Sequence, residues 1–454
     1  MTMAPKTHDM TSGRPLTLLI RFALPLMAGN IFQQLYTVVD TMVVGKALGV
    51  GALAALGAAD WLNWMMLGMM QGLTQGFAIL MAQAFGGKQF AYLKKNIGNS
   101  VVLCGVCSVL LVLIGQLLLN PVLELMQTPT EIQGDSALYL RVMFGGIPIV
   151  MAYNLFASIL RSVGDSKTPL YAMIVACAVN IGLDLLFVMV FHWGIAGTAA
   201  ATLIAQCCSA LFCLWQLRRI EAVQVQRTHF AVDRKLSAKL MKLGSAMAFQ
   251  YMIIAVGGLV VQFVVNGYGV LFVAGVTATN KLYGVLEIAA TSFGFAMTTY
   301  VGQNLGAGRL DRIRAGQRAG YIMALLTSGM IALVMVVFGK PILSCFISGT
   351  AQEVTQTMRI SYQYLLIMSA FLPVLYALYV AKSSLQGLGN TSLPLASGIV
   401  EFAARTTVVF TLPMLIGTEG IFFAEVSAWL GADLVLVPGY FLTIRKIEKM
   451  HKLC

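Results

Sequence analysis

The chain has 454 residues, of which 58% are hydrophobic and only 11% charged, and its mean hydropathy is +0.82. That composition excludes a water-soluble globular protein, and with no hydrophilic stretch long enough for a separate soluble domain it places most of the mass in lipid. The formal charge of +12 sits in segments such as "GGKQFAYLKK", "GAGRLDRIRAGQR" and "RKIEKMHK", which alternate with basic-free turns such as "LLNPVLELMQTPTEIQGDS"; this positive-inside pattern puts the basic segments in the cytoplasm and needs no nucleic-acid partner.

Apolar runs read against these turns predict an all-α membrane protein of about twelve transmembrane helices, near 16–45, 51–84, 95–120, 134–161, 168–191, 194–218, 238–268, 272–304, 312–340, 354–386, 391–416 and 418–445. Both termini are then cytoplasmic. The first apolar stretch is too long for a secretory h-region and is expected to remain as the first helix. Between Arg21 and Lys46 its one full charge is Asp40, and a carboxylate at that depth costs roughly 2.5–3.5 kcal/mol on insertion scales. Gln33, Tyr36 and Asp40 fall on one helical stripe, with Gln34 beside them, and Pro25 can kink the same helix. The stripe predicts a face toward a cavity.

Within the second helix Asp60 begins a face with Trp61, Trp64, Met65 and Met69, which could attract organic cations but is more often packing or a lipid-interface belt. Cys104 and Cys107 in the third form a C-x-x-C with no second pair or nearby histidine to complete a metal site, and read as small packing residues. The fifth places Asn180 and Asp184 four apart on one face, and the sixth does the same with Thr198 and Thr202 among glycine and alanine. Converging in one bundle, these carboxylates, amide and hydroxyls would form an oxygen-rich pocket. Desolvation and like-charge repulsion would favour a protonated aspartate there, making a proton carrier; the same oxygens could instead replace the hydration shell of Na⁺. A purely structural pairing of each aspartate with a buried donor is the alternative.

The polar stretch Arg218 to Lys242 divides the helices six and six. The organisation expected is therefore an N-terminal six-helix lobe over 1–217, a cytoplasmic linker over 218–237 and a C-terminal lobe with a basic tail over 238–454. In the second lobe Lys281 and Glu287, six apart, are badly placed to pair with each other, whereas Glu401 and Arg405, four apart, suit an internal ion pair. These four charges could line or gate a second-lobe cavity, or clamp helices together. The tail "RKIEKMHKLC" could meet anionic lipid headgroups or be a solvated end.

The halves repeat. Gly49, Val50, Ala54, Gln83 and Gly86 recur as Gly269, Val270, Ala274, Gln303 and Gly306, and "LRSVGDSKTPL" from Leu160 recurs as "LQGLGNTSLPL" from Leu385, sharing Gly164/Gly389 and Pro169/Pro394. The loops after Gln83 and Gln303 are both basic, so each repeat has an even number of spans and the two are parallel, related by an axis along the membrane normal. Two such bundles can rock about that axis, as in transporters.

Pro25, Tyr36 and Asp40, the "NIGLD" run ending at Asp184, Thr202 and the paired turns together resemble the multidrug and toxic compound extrusion (MATE) family, in its DinF-like branch, over essentially the whole chain. The resemblance implies a V-shaped pair of six-helix lobes and cation-coupled export of amphipathic, often cationic, organic compounds. It implies that Asp40, Asn180, Asp184 and Thr202 form a first-lobe cation site for H⁺ or Na⁺, with Tyr36 on the same face. One departure is visible: another branch uses acids of spans seven and ten for a second-lobe cation site, and here 238–268 and 360–386 contain neither Asp nor Glu.

The expectation is an antiporter working by alternating access in a bacterial cytoplasmic (inner) membrane, a monomer with small organic substrates, membrane lipid around it and no cofactor beyond its coupling ion. The alternative is a lipid or lipid-linked oligosaccharide flippase of the related superfamily, although those often carry extra helices and more basic central cavities. No P-loop is present to use ATP. The four histidines, His8, His192, His229 and His451, lie near predicted ends or loops, and no H-E-x-x-H or G-x-S-x-G motif occurs, so no enzyme is expected.

Overall fold

The structure, a computed structural model, describes residues 8–126, 128–347 and 350–453. Residues 1–7 of the expected first lobe, Cys454 at the end of the expected tail and the side chain of His451 lie outside the described residues. Among the described residues thirteen α-helices follow one another: α1 (Pro15–Ala47), α2 (Gly49–Gly86), α3 (Phe90–Leu125), α4 (Thr130–Gly145), α5 (Ile147–Ser162), α6 (Lys167–Asp184), α7 (Gly194–Leu217), α8 (Arg234–Asn266), α9 (Val270–Gly306), α10 (Leu310–Ser344), α11 (Ala351–Gly387), α12 (Ser392–Ile416) and α13 (Phe423–Leu453). Each of the twelve expected segments coincides with a helix or a helix pair.

Among the described residues ten helices are long and apolar enough to cross a membrane, and the bent pair α4–α5 makes an eleventh span. The remaining helix, α9, carries Lys281 and Glu287 and falls short on that measure. The segment expected as one helix over 134–161 bends by 49° where α4 meets α5. Gly145 and Gly146 sit at the break, and Pro148 opens α5, where a missing N–H costs no intrahelical bond. Immediately after Asp184, α6 widens into a π-helical turn over Leu185–Val190.

The internal repeat is also a repeat of backbone geometry. Gly49 and Gly269 have φ of 86° and 88°, and Gly164 and Gly389 have 87° and 81°, a region that side chains disfavour, so these turns select glycine. Around the second pair the hydrogen bonds recur as well: Asp165 N donates to Leu160 O and Asn390 N to Leu385 O, both at 2.9 Å. The Asp165 and Asn390 side chains then accept from Thr168 N at 3.0 Å and Leu393 N at 3.3 Å. Pro169 and Pro394 sit in the first turns of α6 and α12, where they displace no helical bond.

The helices form two compact units, one of Met1–Met10 with Leu24–Ala248, the other of Thr11–Ala23 with Phe249–Cys454. In the first unit α2 packs on α3, α4 and α5, and α7 on α4, α5 and α6; in the second, α11 is central, against α9, α10 and α13, with α12 on α13. Pro25 lies just past the point in α1 where the chain changes units.

The segment after α7 is strapped to the first unit. Lys95 Nζ bonds Asp233 Oδ2 at 2.6 Å, which holds that carboxyl below the usual aspartate range. Asn99 donates to Ala231 O and accepts from Asp233 N and Ser237 Oγ. Asp233 also caps α8, accepting from Lys235 N and Leu236 N.

Candidate functional site

Helical spacing brings three polar stripes of the first unit together. α1 contributes Tyr36 and Asp40, one turn apart; α6 contributes Asn180 and Asp184; α7 contributes Thr202 and, one turn further, Gln206. Asn180 Nδ2 donates to Thr202 Oγ1 at 3.4 Å, and Thr202 Oγ1 donates to Asp40 Oδ2 at 3.4 Å. Gln206 Nε2 donates to the Tyr36 hydroxyl at 3.5 Å. The Asp184 carboxyl lies within electrostatic reach of the Asp40 carboxyl. Asp184 is the last residue before the π-helical turn, a backbone irregularity that often marks functional positions in helices.

The chemistry of this cluster is set by what its oxygens lack. Asn180 and Asp184 are fully buried, and Asp40 Oδ1, Asn180 Oδ1 and both carboxylate oxygens of Asp184 have no hydrogen-bond partner. Two ionised carboxylates side by side offer each other no donor, and a buried charge without a partner is costly. A proton shared between them, or a small cation held by carboxylate, amide and hydroxyl oxygens, removes that cost. The cluster is therefore chemically suited to bind and release a cation.

The other expected residues divide. Gln33 is half-buried and within side-chain hydrogen-bond reach of Tyr36, whereas Gln34 is exposed. Thr198 is buried but donates to Ile195 O of its own helix at 2.8 Å. Met65 and Met69 pack against the first unit's core; Trp64 is 45% exposed, edge-on to Trp61 at 6.1 Å. Cys104 is buried, and Cys107 Sγ lies 4.0 Å from Met241 Sδ.

In the second unit Lys281 is exposed, while Glu287 accepts from the Tyr379 hydroxyl. Arg405 does not form its ion pair along α12 with Glu401: Arg405 Nη2 lies 2.6 Å from Glu425 Oε2 of α13. The spacing of four allowed the intrahelical pair, but the side-chain direction chose the neighbouring helix. Glu401 is buried, and its Oε1 has no partner.

Sequence reasoning missed Gln206, although it extends the Thr198–Thr202 stripe by one turn. It missed Tyr139 of α4, buried within electrostatic reach of Asp40 and Asp184, which no local signal marks. It also missed Lys382, Glu425 and Asp433. Lys382 was detectable as the one charge between Arg359 and Glu401, and Glu425 and Asp433 as acids within the last apolar run.

The MatE family model matches this chain twice, over residues 25–186 and 246–411, one match in each repeat. The chain is 30% identical to the probable multidrug resistance protein YpnP of Bacillus subtilis, covering 94% of this chain and 92% of that one. It is 28% identical to the probable multidrug resistance protein YoeA of the same organism, covering 95% and 94%. A solved structure described as the outward-facing conformation of a multidrug resistance MATE family transporter of the MOP superfamily superposes with a TM-score of 0.90 at 19% identity, over 99% of this chain and 100% of that one. The paired family matches, the repeat they coincide with and the multi-pass helical fold lead to one assignment: this chain belongs to the MATE family of multidrug efflux transporters.

Proposed function

We propose that this protein exports amphipathic, cationic organic compounds from a bacterial cell by exchange against H⁺ or Na⁺, with Asp40, Asn180, Asp184 and Thr202 as the coupling site. The observation that carries the reading is the group of buried, unpartnered oxygens on Asp40, Asn180 and Asp184. Cation binding neutralises the carboxylates, and release leaves them charged. A cation can bias an alternating-access equilibrium only through such a difference between states. Export rather than lipid flipping is supported by the multidrug names of YoeA and YpnP. The basic loops support an inner-membrane protein with both termini cytoplasmic, working as a single chain.

The test uses purified protein in liposomes, given a proton or a Na⁺ gradient separately, with a fluorescent organic cation as cargo. Movement of cargo under one gradient identifies the coupling ion. Asp40→Asn is expected to abolish gradient-driven movement while the protein remains folded; undiminished movement in that variant overturns the assignment.

A further inference from the structure

The second unit contains a larger buried charge cluster that the proposed coupling site does not use. Glu287 of α9, Glu401 of α12 and Glu425 of α13 lie within electrostatic reach of the bases Lys382 of α11 and Arg405 of α12, and a fourth acid, Asp433 of α13, lies within reach of Glu401. Arg405 is committed to Glu425 at 2.6 Å. Lys382 is within electrostatic reach of both Glu287 and Glu401, and its Nζ lies 4.3 Å from the Tyr379 ring centroid. Glu287 accepts from the Tyr379 hydroxyl. Lys382 and Arg405 thus leave two carboxylates without a base, and Glu401 Oε1 and Asp433 Oδ1 are the buried carboxylate oxygens here with no hydrogen-bond partner. A low-dielectric interior does not hold such an excess of negative charge uncompensated.

The same region continues toward one end of the unit as a file of polar groups. Asp433 is within electrostatic reach of Glu401 and of Tyr321 of α10. Tyr321 lies one turn from Gln317, whose Oε1 accepts from Ser384 Oγ, and Tyr440 of α13 neighbours Tyr321. Tyr321 Oη, Gln317 Nε2 and Tyr440 Oη are buried with hydrogen-bonding capacity unused. Beyond Tyr440 stand Arg314 and Glu448, bridged at 2.5 Å, with Arg314 55% exposed. This end carries the basic loop after Gln303 and the basic tail, the features that mark the cytoplasmic side. Among the described residues the other titratable groups around the cluster are tyrosines: Tyr251 of α8, Tyr283 of α9, and Tyr364 and Tyr376 of α11.

We propose that the second unit carries an exchangeable proton of its own, held by Glu401 and Asp433 and reached from the cytoplasmic end through Tyr440 and Tyr321. The proton comes from bulk water, adds to a carboxylate oxygen and returns to water on release, so no other reactant is needed. The Tyr321 and Tyr440 hydroxyls, which both donate and accept, are what a proton relay, direct or through intervening water, requires, and Gln317 Nε2, which only donates, can orient such a water. The site shares no residue with the Asp40–Asp184 cluster, so either can fail without the other.

The experiment is infrared difference spectroscopy on the purified full chain during pH steps, reading the C=O band of protonated carboxylic acids. An Asp40→Asn, Asp184→Asn double variant removes the first-unit contribution. A pH-dependent band is expected to remain there, to be lost when Glu401→Gln is added and to be reduced by Asp433→Asn. Tyr321→Phe is expected to slow the response to a pH jump without changing its amplitude. Absence of the band in the double variant, or its persistence in both Glu401→Gln and Asp433→Asn, overturns the site; an unchanged rate in Tyr321→Phe overturns the file. Where Glu401→Gln does not fold, Asp433→Asn decides. The readout needs no transport, so failure of the Asp40 proposal leaves it intact.

Discussion

Replacing Arg405 by Met tests how the second unit tolerates its buried charge. The guanidinium is 5% exposed and the Glu425 side chain 19%, so the pair is largely shielded from solvent screening. With charge centres roughly 4 Å apart and an effective dielectric near 20, their attraction is about 4 kcal/mol. Desolvation offsets much of that in the intact pair, but removing one partner leaves the other charge buried alone, a loss of about 3–5 kcal/mol. The two partners are not equivalent. Arg405→Met abandons Glu425 and also takes a positive charge from beside Glu401, whereas Glu425→Gln leaves the guanidinium near Glu401. Arg405→Met should therefore cost about 3–5 kcal/mol and Glu425→Gln less, with the double variant recovering about 1–3 kcal/mol relative to additivity. The assay is equilibrium unfolding in mixed detergent micelles followed by tryptophan fluorescence; Trp429, on the same helix as Glu425, stacks on Tyr283 at 5.9 Å and reports locally. Equal losses for the two single variants, or a coupling below about 0.5 kcal/mol, refute the reasoning.

Thr202→Val deletes two hydrogen bonds of 3.4 Å while keeping side-chain shape; it should cost about 1–3 kcal/mol in stability and abolish gradient-driven transport in the liposome assay. Gly98→Ala would place a Cβ 2.1 Å from His229 O, so it should detach the segment between α7 and α8 from α3, seen as faster amide exchange and proteolysis over 218–233. The Lys95–Asp233 clasp should also be acid-sensitive. Because Asp233 is held below its ordinary range in the folded protein, its contribution is fully present above the unfolded aspartate value of about 3.9 and is lost as pH falls through the lower folded value. Amide exchange over the same segment should rise only below about pH 4 in the intact protein, and Asp233→Asn should raise it already at neutral pH.

Much of this protein is determined by local chemistry and could be read without coordinates. Spanning helices follow from runs of apolar residues, because lipid forces every backbone polar group to bond within its own segment. The expected sidedness rests on where lysine and arginine lie, and the repeat is legible in turns whose positive φ selects glycine at 49, 164, 269 and 389. The first-unit site was legible too, because Asp40, Asn180, Asp184 and Thr202 are polar residues at one-turn spacings inside apolar helices. Tertiary structure alone decided which stripes meet. Helical periodicity says which residues share a face but not how far a helix is rotated about its axis or what stands opposite. Arg405 thus bonds Glu425 on α13 rather than Glu401 on its own helix, and Lys382 of α11 comes within electrostatic reach of Glu287 of α9 and Glu401 of α12. The break between α4 and α5 and the π-helical turn after Asp184 belong to the same class. Both are small adjustments of backbone direction, set by packing across the bundle, that no pattern of hydropathy records.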